Sequence, residues 1–464
     1  SACLVGSEMC IRDRINTSST AATFGGLLTL ADDTLIVGDT GTISLSNAGT
    51  ITGSYDLTLG GAQGGSMTSI VGISTGSLTK VGAGTWTMSG LNTYSGGTSI
   101  NAGVLKAGSA RAFGANASAI TVADGAVLDL NGITLTNTNA LTLNGMGIGS
   151  SGALTNSSST TGVYAGSITL GSISAIGGTG GTVSVTGAIS ATSNNYGVVF
   201  IGNKAISLSS TSNALRKIAS ETGIGALTIV NTGDLEIGTV STYDGINAGG
   251  AINIRTTGDL TISKNIATTS TSKSASAPAL LLSAGSSEAA GSITKNILLV
   301  GNRTFTVGAG GAANFYTGGL TESADLKAYA EAQTNNTATY YSTLSAQPTT
   351  AGYNVIYRGT PPYIYVTIVD GQSSTYGTAS GLSFWYSTSA SSYGSGYIPG
   401  LISSLTTAQT FTAGASSMSV NVAGITGTIS IDTALTSTLN ADTYSLTLSC
   451  LLYTSDAADD LLCV

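Results

Sequence analysis

The sequence predicts an all-β protein, a right-handed parallel β-helix followed by a small β-rich domain. The first indication is composition: among 464 residues there are 64 Gly, 5 Pro, 41% hydrophobic and only 8% charged residues, which is too apolar for a disordered Gly/Ser linker. The second is that short segments of alternating apolar and polar residues recur between clusters of Gly, Asn and Asp, without helical periodicity between them.

The alternating segments predict coils that stack strand on strand. TLIVGDTGTISLSNAGTITG from Thr34 and ALTIVNTGDLEIGTV from Ala226 each indicate strand, turn and strand, and GDLEIGTV at Gly233 returns as GDLTISKN at Gly258. A large sandwich is the alternative, but repeated motifs favour a solenoid with Ile, Val and Leu inside and Thr, Ser and Asn outside. At roughly twenty residues and ~4.8 Å per coil, we expect some sixteen coils and a rod of about 80 Å.

The stretch LTKVGAGTWTMSGLNTYSGGTSINAGVLKAG, residues 78–108, closely resembles the autotransporter passenger-associated repeat, a β-helix unit of secreted Gram-negative surface proteins. Alternation within it predicts that Leu78, Trp86, Ile100 and Leu105 are buried and the intervening Thr and Ser exposed. The residues that fall on the repeat pattern are Gly82, Gly84, Gly90, Asn92, Tyr94, Gly96, Gly97, Asn101, Ala102 and Gly103.

Other segments extend the resemblance over most of residues 26–360. GGAINIRTTGDLTISKNIAT from Gly249 and RTFTVGAGGAANFYTG from Arg303 are similar to filamentous-haemagglutinin-like adhesins. The resemblance implies a type V secretion passenger located outside the cell, at the bacterial outer-membrane surface. We therefore expect a parallel β-helix over residues 15–330.

The style of the sequence changes near the C-terminal side. Residues 331–360 are predicted to form terminal coils and a linker, since Pro361 and Pro362 cannot continue a strand ladder. Residues 361–449 resemble an MBG-type module, with Tyr376-Gly377 at the position of its Tyr-Gly motif. The resemblance implies a small β domain after the β-helix.

All four cysteines, Cys3, Cys10, Cys450 and Cys463, lie at the ends. MCIRDR and CLLYT can be back-translated to one DNA element read on opposite strands, which resembles the translated ends of sequencing adapters. We therefore interpret residues 1–14 and 450–464 as adapter artefacts that pack poorly; the alternative is a disulfide between the ends. These ends hold two arginines and five acids, so without them the net charge changes from −8 to −5. A mildly acidic chain disfavours nonspecific nucleic-acid binding.

Catalytic chemistry has few candidates. The chain has no histidine, which excludes Ser-His-Asp and Cys-His catalysis. Paired carboxylates could support glycoside cleavage. The favoured interpretation places them in turns or on outer coil faces, because adjacent acids in a strand point to opposite sides. The candidates are Asp32 with Asp33, Asp124 with Asp129, Asp234 with Glu236, and Asp234 stacked on Asp259.

Glycine-rich and sequon motifs do not indicate a ligand. GAGT at Gly82 and GGTGGT at Gly177 lack the Lys-Ser/Thr and helix of a phosphate loop, and GGTGGT lacks the Asp of a calcium-binding coil. Sequons at Asn116 and Asn302 are expected by chance in a Ser/Thr-rich chain. We predict no catalytic, cofactor-binding or metal-binding residues.

The resulting hypothesis is a fragment of a large secreted adhesin that acts as a structural stalk and adhesion surface, without enzymatic activity. Its expected partners are glycans or proteins on a host or neighbouring cell, with no nucleic acid, and an outer-membrane translocator is expected on the missing part of the gene. Two alternatives stay open: a polysaccharide-active β-helix enzyme, and a passive spacer for a missing functional head.

Overall fold

The structure is a computed structural model. It describes residues 3–5 and 8–359, except 117, 334, 340, 341 and 345–347, and seven separate strands beyond them; side chains are described within 13–359. The described chain is nearly all β, with a parallel solenoid of about 12 turns. This confirms the predicted fold class.

The solenoid strands are β1 Cys3–Val5, β2 Glu8–Asn16, β3 Ala22–Phe24, β4 Leu28–Gly38, β5 Ile43–Leu45, β6 Thr50–Ile51, β7 Leu57–Gly60, β8 Gly64–Met67, β9 Ile70–Val71, β10 Leu78–Lys80, β11 Thr85–Met88, β12 Thr98–Ile100, β13 Gly103–Ala107, β14 Ile120–Val122, β15 Ala126–Asp129, β16 Leu141–Gly145, β17 Leu154–Thr155, β18 Gly162–Tyr164, β19 Ile168–Gly177, β20 Val183–Val185, β21 Ile189–Ala191, β22 Val198–Ile201, β23 Ile206–Leu208, β24 Lys217–Ser220, β25 Thr222–Ile224, β26 Leu227–Asn231, β27 Leu235–Ile237, β28 Thr239–Val240, β29 Tyr243–Asp244, β30 Ile246–Ala248, β31 Ile252–Thr256, β32 Leu260–Ile262, β33 Ile266–Thr268, β34 Leu280–Ser283, β35 Ile297–Leu299, β36 Phe305–Thr306, β37 Ala312–Thr317, β38 Asn336–Thr339 and β39 Gly352–Tyr357. A short 3-10 turn spans Ile148–Ser150, and one α-helix, α1, spans Ala324–Glu331.

Strands of successive coils stack into parallel ladders, three of which are named here as faces A, B and C. Among the described coils, those after β21 lack face A and contain a further ladder of β25, β30, β33 and β36. Face A contains β7, β10, β12, β14, β16, the first half of β19, and β21. Face B runs from β5 through β8, β11, β13, β15, β17, the second half of β19, β22, β24, β27 and β32 to β35. Face C contains β18, β20, β23, β26, β31, β34, β37 and β39.

The interior of the solenoid contains the residues that alternation placed there. Leu78, Trp86, Ile100 and Leu105 are fully buried, as predicted, and the indole N–H of Trp86 donates to the Gly60 carbonyl at 2.9 Å. Intervening residues such as Thr79 are half-buried instead of exposed. The reason is that strands of the neighbouring coils lie only ~4.8 Å away and cover the flanks of each outward side chain.

Buried asparagines connect successive coils at the corners. Asn92 is fully buried; its side-chain oxygen accepts from the Val71 N–H at 2.8 Å, and its amide donates to the Ala112 carbonyl at 2.6 Å. One side chain thus satisfies backbone groups in the coil before it and the coil after it. This offsets the desolvation of backbone groups that a bend in the chain leaves unpaired.

The number of coils was overestimated from the sequence. Early coils have the expected size, since Leu57 pairs with Leu78 and Leu78 with Thr98. Later coils are longer: Ile252 pairs with Leu280, Leu280 with Ala313, and Ala313 with Tyr353. Insertions at the corners consume this extra chain, so about 12 turns at ~4.8 Å give a rod of about 60 Å.

The outer surface is apolar in two places where Thr, Ser and Asn were expected. On face B, Ala175, Val199 and Ala219 stack in register and are buried, because the hairpin β28–β29 places Val240 against them. On face C, Leu281, Tyr316 and Ile356 form a second buried outer cluster, against which Leu344 packs. Corner insertions fold back over these coils and give them a second, external core.

The C-terminal coils have an aromatic interior and a helix. Helix α1 packs against β35 and β39 and buries Leu326. Phe305 lies 4.9 Å from Phe315 and 5.1 Å from Tyr329, measured between ring centroids, and the Tyr329 hydroxyl donates to the Phe305 carbonyl at 2.9 Å. The segment KAYAEAQ, residues 327–333, is therefore part of the packing of the last described coils. Within the described residues, no helix has the length and apolar character needed to cross a membrane.

The backbone at the start of the chain is paired with the coil that follows it. The backbone of β2 pairs in parallel with β4, from Met9 opposite Leu28 to Asn16 opposite Gly38, and the Arg14 guanidinium lies 3.7 Å from the centroid of the Phe24 ring. A strand ladder is bonded through the backbone, so the open end of a solenoid accepts any extended segment, whatever its side chains. This pairing does not test whether residues 1–14 are an adapter artefact.

Beyond residue 359 the structure describes only β40 Tyr365–Ile368, β41 Ser383–Ser387, β42 Thr407–Thr410, β43 Ser417–Val422, β44 Ile425–Ile431, β45 Leu448–Thr454 and β46 Asp460–Leu461. These strands pair antiparallel, in contrast to the solenoid. Tyr376-Gly377 of the predicted MBG-type module, and the pairing of the cysteines, lie outside the described residues and side chains. The module and the second artefact therefore stay predictions.

Candidate functional site: the outer hydroxyl row of face A

The most regular surface feature is a row of hydroxyl side chains on face A. Each is the middle residue of three consecutive residues that pair in register with the next coil, and each lies between two inward residues. The row consists of Thr58, Thr79, Ser99, Thr121, Thr142, Thr169 and Ser190. Six strand spacings of ~4.8 Å make it about 29 Å long.

The buried neighbours of each hydroxyl residue fix the register of this row. The residues on either side of each hydroxyl point into the core, as Ile120 and Val122 do around Thr121 and as Leu141 and Leu143 do around Thr142. A shift of one residue in register would turn the apolar pair to solvent and the hydroxyl inward, which the burial free energy opposes. Thr121 and Ser190 are exposed and the other five are half-buried. The row therefore presents donors and acceptors at a fixed repeat.

The stacked carboxylates that the sequence singled out are engaged by backbone. Asp234 and Asp259 do lie on consecutive coils, as expected. The Asp259 N–H donates to Asp234 Oδ1 at 3.0 Å, and the Asn296 N–H donates to Asp259 Oδ1 at 2.6 Å. Each carboxylate caps the turn of the following coil, which agrees with the structural interpretation of these acids.

Backbone N–H groups or lysine side chains also contact the other acids, namely Glu236, Asp129, Asp32 and Asp33. Glu236 lies 2.9 Å from Lys217 of the preceding coil, whereas Asp234 bonds to the following coil. Asp129 Oδ1 accepts from the N–H groups of Asn131 and Ser157, and Lys106 lies 3.6 Å from Oδ2. Asp32 accepts from the N–H of Asp33, which in turn accepts from Asp56. These contacts cap turns and join coils, and they do not bring two acids together across a cleft.

The glycine-rich motifs are turns. Gly82 has a φ of 72° and stacks on Gly61, whose carbonyl oxygen would lie 2.8 Å from an added Cβ. Only glycine takes this backbone conformation without strain at so close an approach. Gly177 also has a positive φ, of 155°. Among the described residues there is no group of three or more Cys, Asp or Glu side chains that could hold a metal ion.

The sequence analysis missed Lys80. This lysine points into the solenoid, in register with Leu59 of the preceding coil and Ile100 of the following one, and it is fully buried. Burial lowers the pKa of its ammonium group to about 8. The signal in the sequence is the alternation, which places Lys80 on the same side of the strand as Leu78, although lysines are rarely buried without a partner.

Comparison with known families agrees with this geometry in one region. The family described as the passenger-associated-transport-repeat matches residues 78–107, which contain strands β10 to β13 of two successive coils and include Leu78, Trp86 and Lys80. No curated protein and no solved structure matches the chain significantly. The chain thus carries an autotransporter passenger repeat within a parallel β-solenoid, and this combination fits a type V secretion passenger.

Proposed function

We propose that the protein is a non-catalytic surface adhesin, in which the solenoid serves as both stalk and contact surface. The observation that carries the proposal is the hydroxyl row of face A, which repeats one donor and acceptor per coil over about 29 Å. The passenger-associated repeat supports secretion to the cell surface, because passengers with such repeats are secreted. The row provides what an extended glycan or protein surface needs for contact.

The mechanism is additive contact. One threonine or serine hydroxyl that reaches solvent exchanges a hydrogen bond to water for one to a ligand, at a net gain of only about 1 kcal/mol. Seven such groups at a constant spacing act on the same ligand chain, so the later contacts form at a high effective concentration. Rigid stacking lowers the cost, since the row is ordered before the ligand arrives. The affinity contributed by each coil is therefore expected to be weak, and the affinity of the whole row is expected to be much higher.

The test compares the purified chain with a row variant, Thr79→Val, Thr121→Val and Thr142→Val. Valine keeps the β-branched shape that suits a strand and removes the hydroxyl, so the fold is retained. The matched control replaces hydroxyls of other faces, Thr228→Val and Thr261→Val. Immobilised on a surface, the unaltered chain and the control should retain cells and glycans, and the row variant should lose most of this retention.

Equal retention by all three proteins would contradict the hydroxyl row of face A as the contact surface. Retention by none of them favours the passive spacer.

Enzymatic activity is tested on the same preparations. Uronate, pectin and chitin-type polysaccharides are incubated with the chain and with Asp234→Asn and Asp259→Asn. We expect no turnover, since both carboxylates cap backbone N–H groups. Turnover that disappears in either variant would replace the adhesin by a polysaccharide-active enzyme.

A further inference from the structure

Lys80 lies in the interior row of face A, where its neighbours are Leu59 and Ile100. It is fully buried, and none of the described ion pairs includes it. A buried ammonium without a carboxylate is costly unless other groups replace its hydration. The contacts of its Nζ atom show which groups do so.

Three backbone carbonyl oxygens converge on Lys80 Nζ. The ammonium donates to Val81 O at 2.9 Å, Gly82 O at 2.7 Å and Ala102 O at 3.0 Å. Two of the carbonyls belong to the turn after β10 and the third to the turn of the next coil. In the described backbone no N–H group is paired with any of the three oxygens. The three protons of the ammonium thus match three acceptors that the turns leave available.

The backbone packs closely around the ammonium of Lys80. Gly103 has a φ of 69°, and a Cβ at that position would lie 2.6 Å from Lys80 Nζ. A side chain there would fill the place that the ammonium occupies. The turn sequences Val81–Gly84 and Asn101–Gly103 contain no titratable residue, and neither do the flanking positions Leu59 and Ile100.

We propose that these three carbonyls form an internal cation site, and that Lys80 supplies its resident cation as a tethered ammonium. Converging carbonyl oxygens bind ammonium-like and potassium-like cations by replacing their hydration shell. In this protein the bound cation joins the turns of two successive coils of the passenger-associated repeat. The ligand class of the site is a small monovalent cation, and the inference does not depend on the proposed adhesin function.

The experiment removes the tether and offers free cations. In Lys80→Ala the carbonyls remain but the ammonium is gone, so the thermal midpoint should fall in sodium buffer. Ammonium or potassium chloride should then raise it in a saturable manner, and tetramethylammonium chloride, which is too large for the site, should not. In Lys80→Met the apolar side chain fills the space, so the midpoint should fall without recovery.

The matched control is Lys106→Ala, in the same repeat but with an outward side chain near Asp129. It should show no cation-specific recovery. The proposal is overturned if Lys80→Ala recovers equally in tetramethylammonium, if it does not recover at all, or if Lys106→Ala recovers as well.

A second measurement covers the case in which Lys80→Ala does not fold in any of these salts. Three hydrogen bonds in a buried site slow proton exchange, so the ammonium of Lys80 in the unaltered chain should give a 1H–15N resonance at pH 7. The exposed Lys204 serves as the reference that should give none. Absence of the Lys80 resonance under these conditions would overturn the site.

Discussion

Two parts of the solenoid, the short coils at residues 78–107 and the long coils at 280–359, differ in length, interior and outer surface. The first returns to register after about one short turn, as Leu78 pairs with Thr98. The second needs far more chain, as Ala313 pairs with Tyr353. The short coil has an aliphatic interior around Trp86 and half-buried hydroxyls outside, whereas the long coils have an aromatic interior and buried apolar residues on both sides of face C.

Both parts bury one cation whose N–H groups donate to three backbone carbonyls, although the Nε of Arg358 is buried without a hydrogen-bond partner in the described structure. Lys80 joins two adjacent turns, and Arg358 reaches across an insertion to the carbonyls of Ala284, Thr294 and Lys295, the second at 2.7 Å. Burial lowers the pKa of Arg358, and the charges of Glu288 and Asp259 raise it. The comparison teaches that a corner without regular pairing leaves carbonyl oxygens free, and a buried cation is one way to satisfy several of them at once.

The largest difference between the two parts should appear when each interior is truncated. Phe315→Ala removes a ring that packs on Phe305 and Tyr353, and should lower the free energy of unfolding by about 4 kcal/mol. Leu105→Ala, in the short coil, should cost about 3 kcal/mol. Urea denaturation measures both, with the exposed Thr306→Ala as the control. A smaller loss for Phe315 than for Leu105 would show that the aromatic end is not the more tightly packed part.

The next effect concerns the cation of the long coils. Arg358→Met should lower the free energy of unfolding by about 3 kcal/mol, because three carbonyls lose a charged donor. The segment between Gly285 and Lys295 loses its attachment, so limited proteolysis should cut there first. Lys204→Met, on the surface, is the control and should be cut as the unaltered chain is. Unchanged proteolysis would mean that other contacts hold the insertion.

The cation of the short coil gives a pH effect of known sign. The pKa of Lys80 is lowered from 10.5 to about 8, so above pH 8 the unfolded chain binds more protons than the folded one. Stability therefore rises with pH between about 8 and 10, by up to about 3 kcal/mol relative to Lys80→Met. Taking the difference between the two proteins cancels Tyr94 and Tyr164, whose pKa values burial raises and which therefore destabilise the folded chain above pH 10. A flat difference would mean that the three carbonyl oxygens fully offset the desolvation of the ammonium.

The smallest effect is expected where a coil contact is exposed to solvent. Lys217 and Glu236 form an ion pair of 2.9 Å between adjacent coils, with both side chains about one-third exposed. Lys217→Met should change the free energy of unfolding by less than about 1 kcal/mol, and less still at high salt. Denaturation at two salt concentrations measures it. A loss as large as that of Arg358→Met would show that this exposed cation contributes as much to the free energy of unfolding as the buried one.

The sequence by itself determined the class of fold and the side that each strand residue faces. Alternation in LTK, TWTM and TSI places Leu78, Trp86 and Ile100 inside, and the matching GDL motifs place Asp234 under Asp259. These features are local, because a strand has a period of two and a coil repeats its own pattern. The hydroxyl row of face A follows from the same rule, although its continuity depends on seven coils keeping the same register.

The contacts made at the corners between strands depend on the tertiary structure. The burial of Ala175, Val199 and Ala219 depends on the hairpin β28–β29, which comes later in the chain than all three, and the site of Lys80 depends on carbonyls of two separate turns. Insertion length also set the number of turns. Such contacts follow no periodicity, since they join irregular segments whose positions are set only when the coils have stacked. A lysine is assigned to the surface by its hydration, and only the arrangement of carbonyl oxygens around it shows that this one is buried.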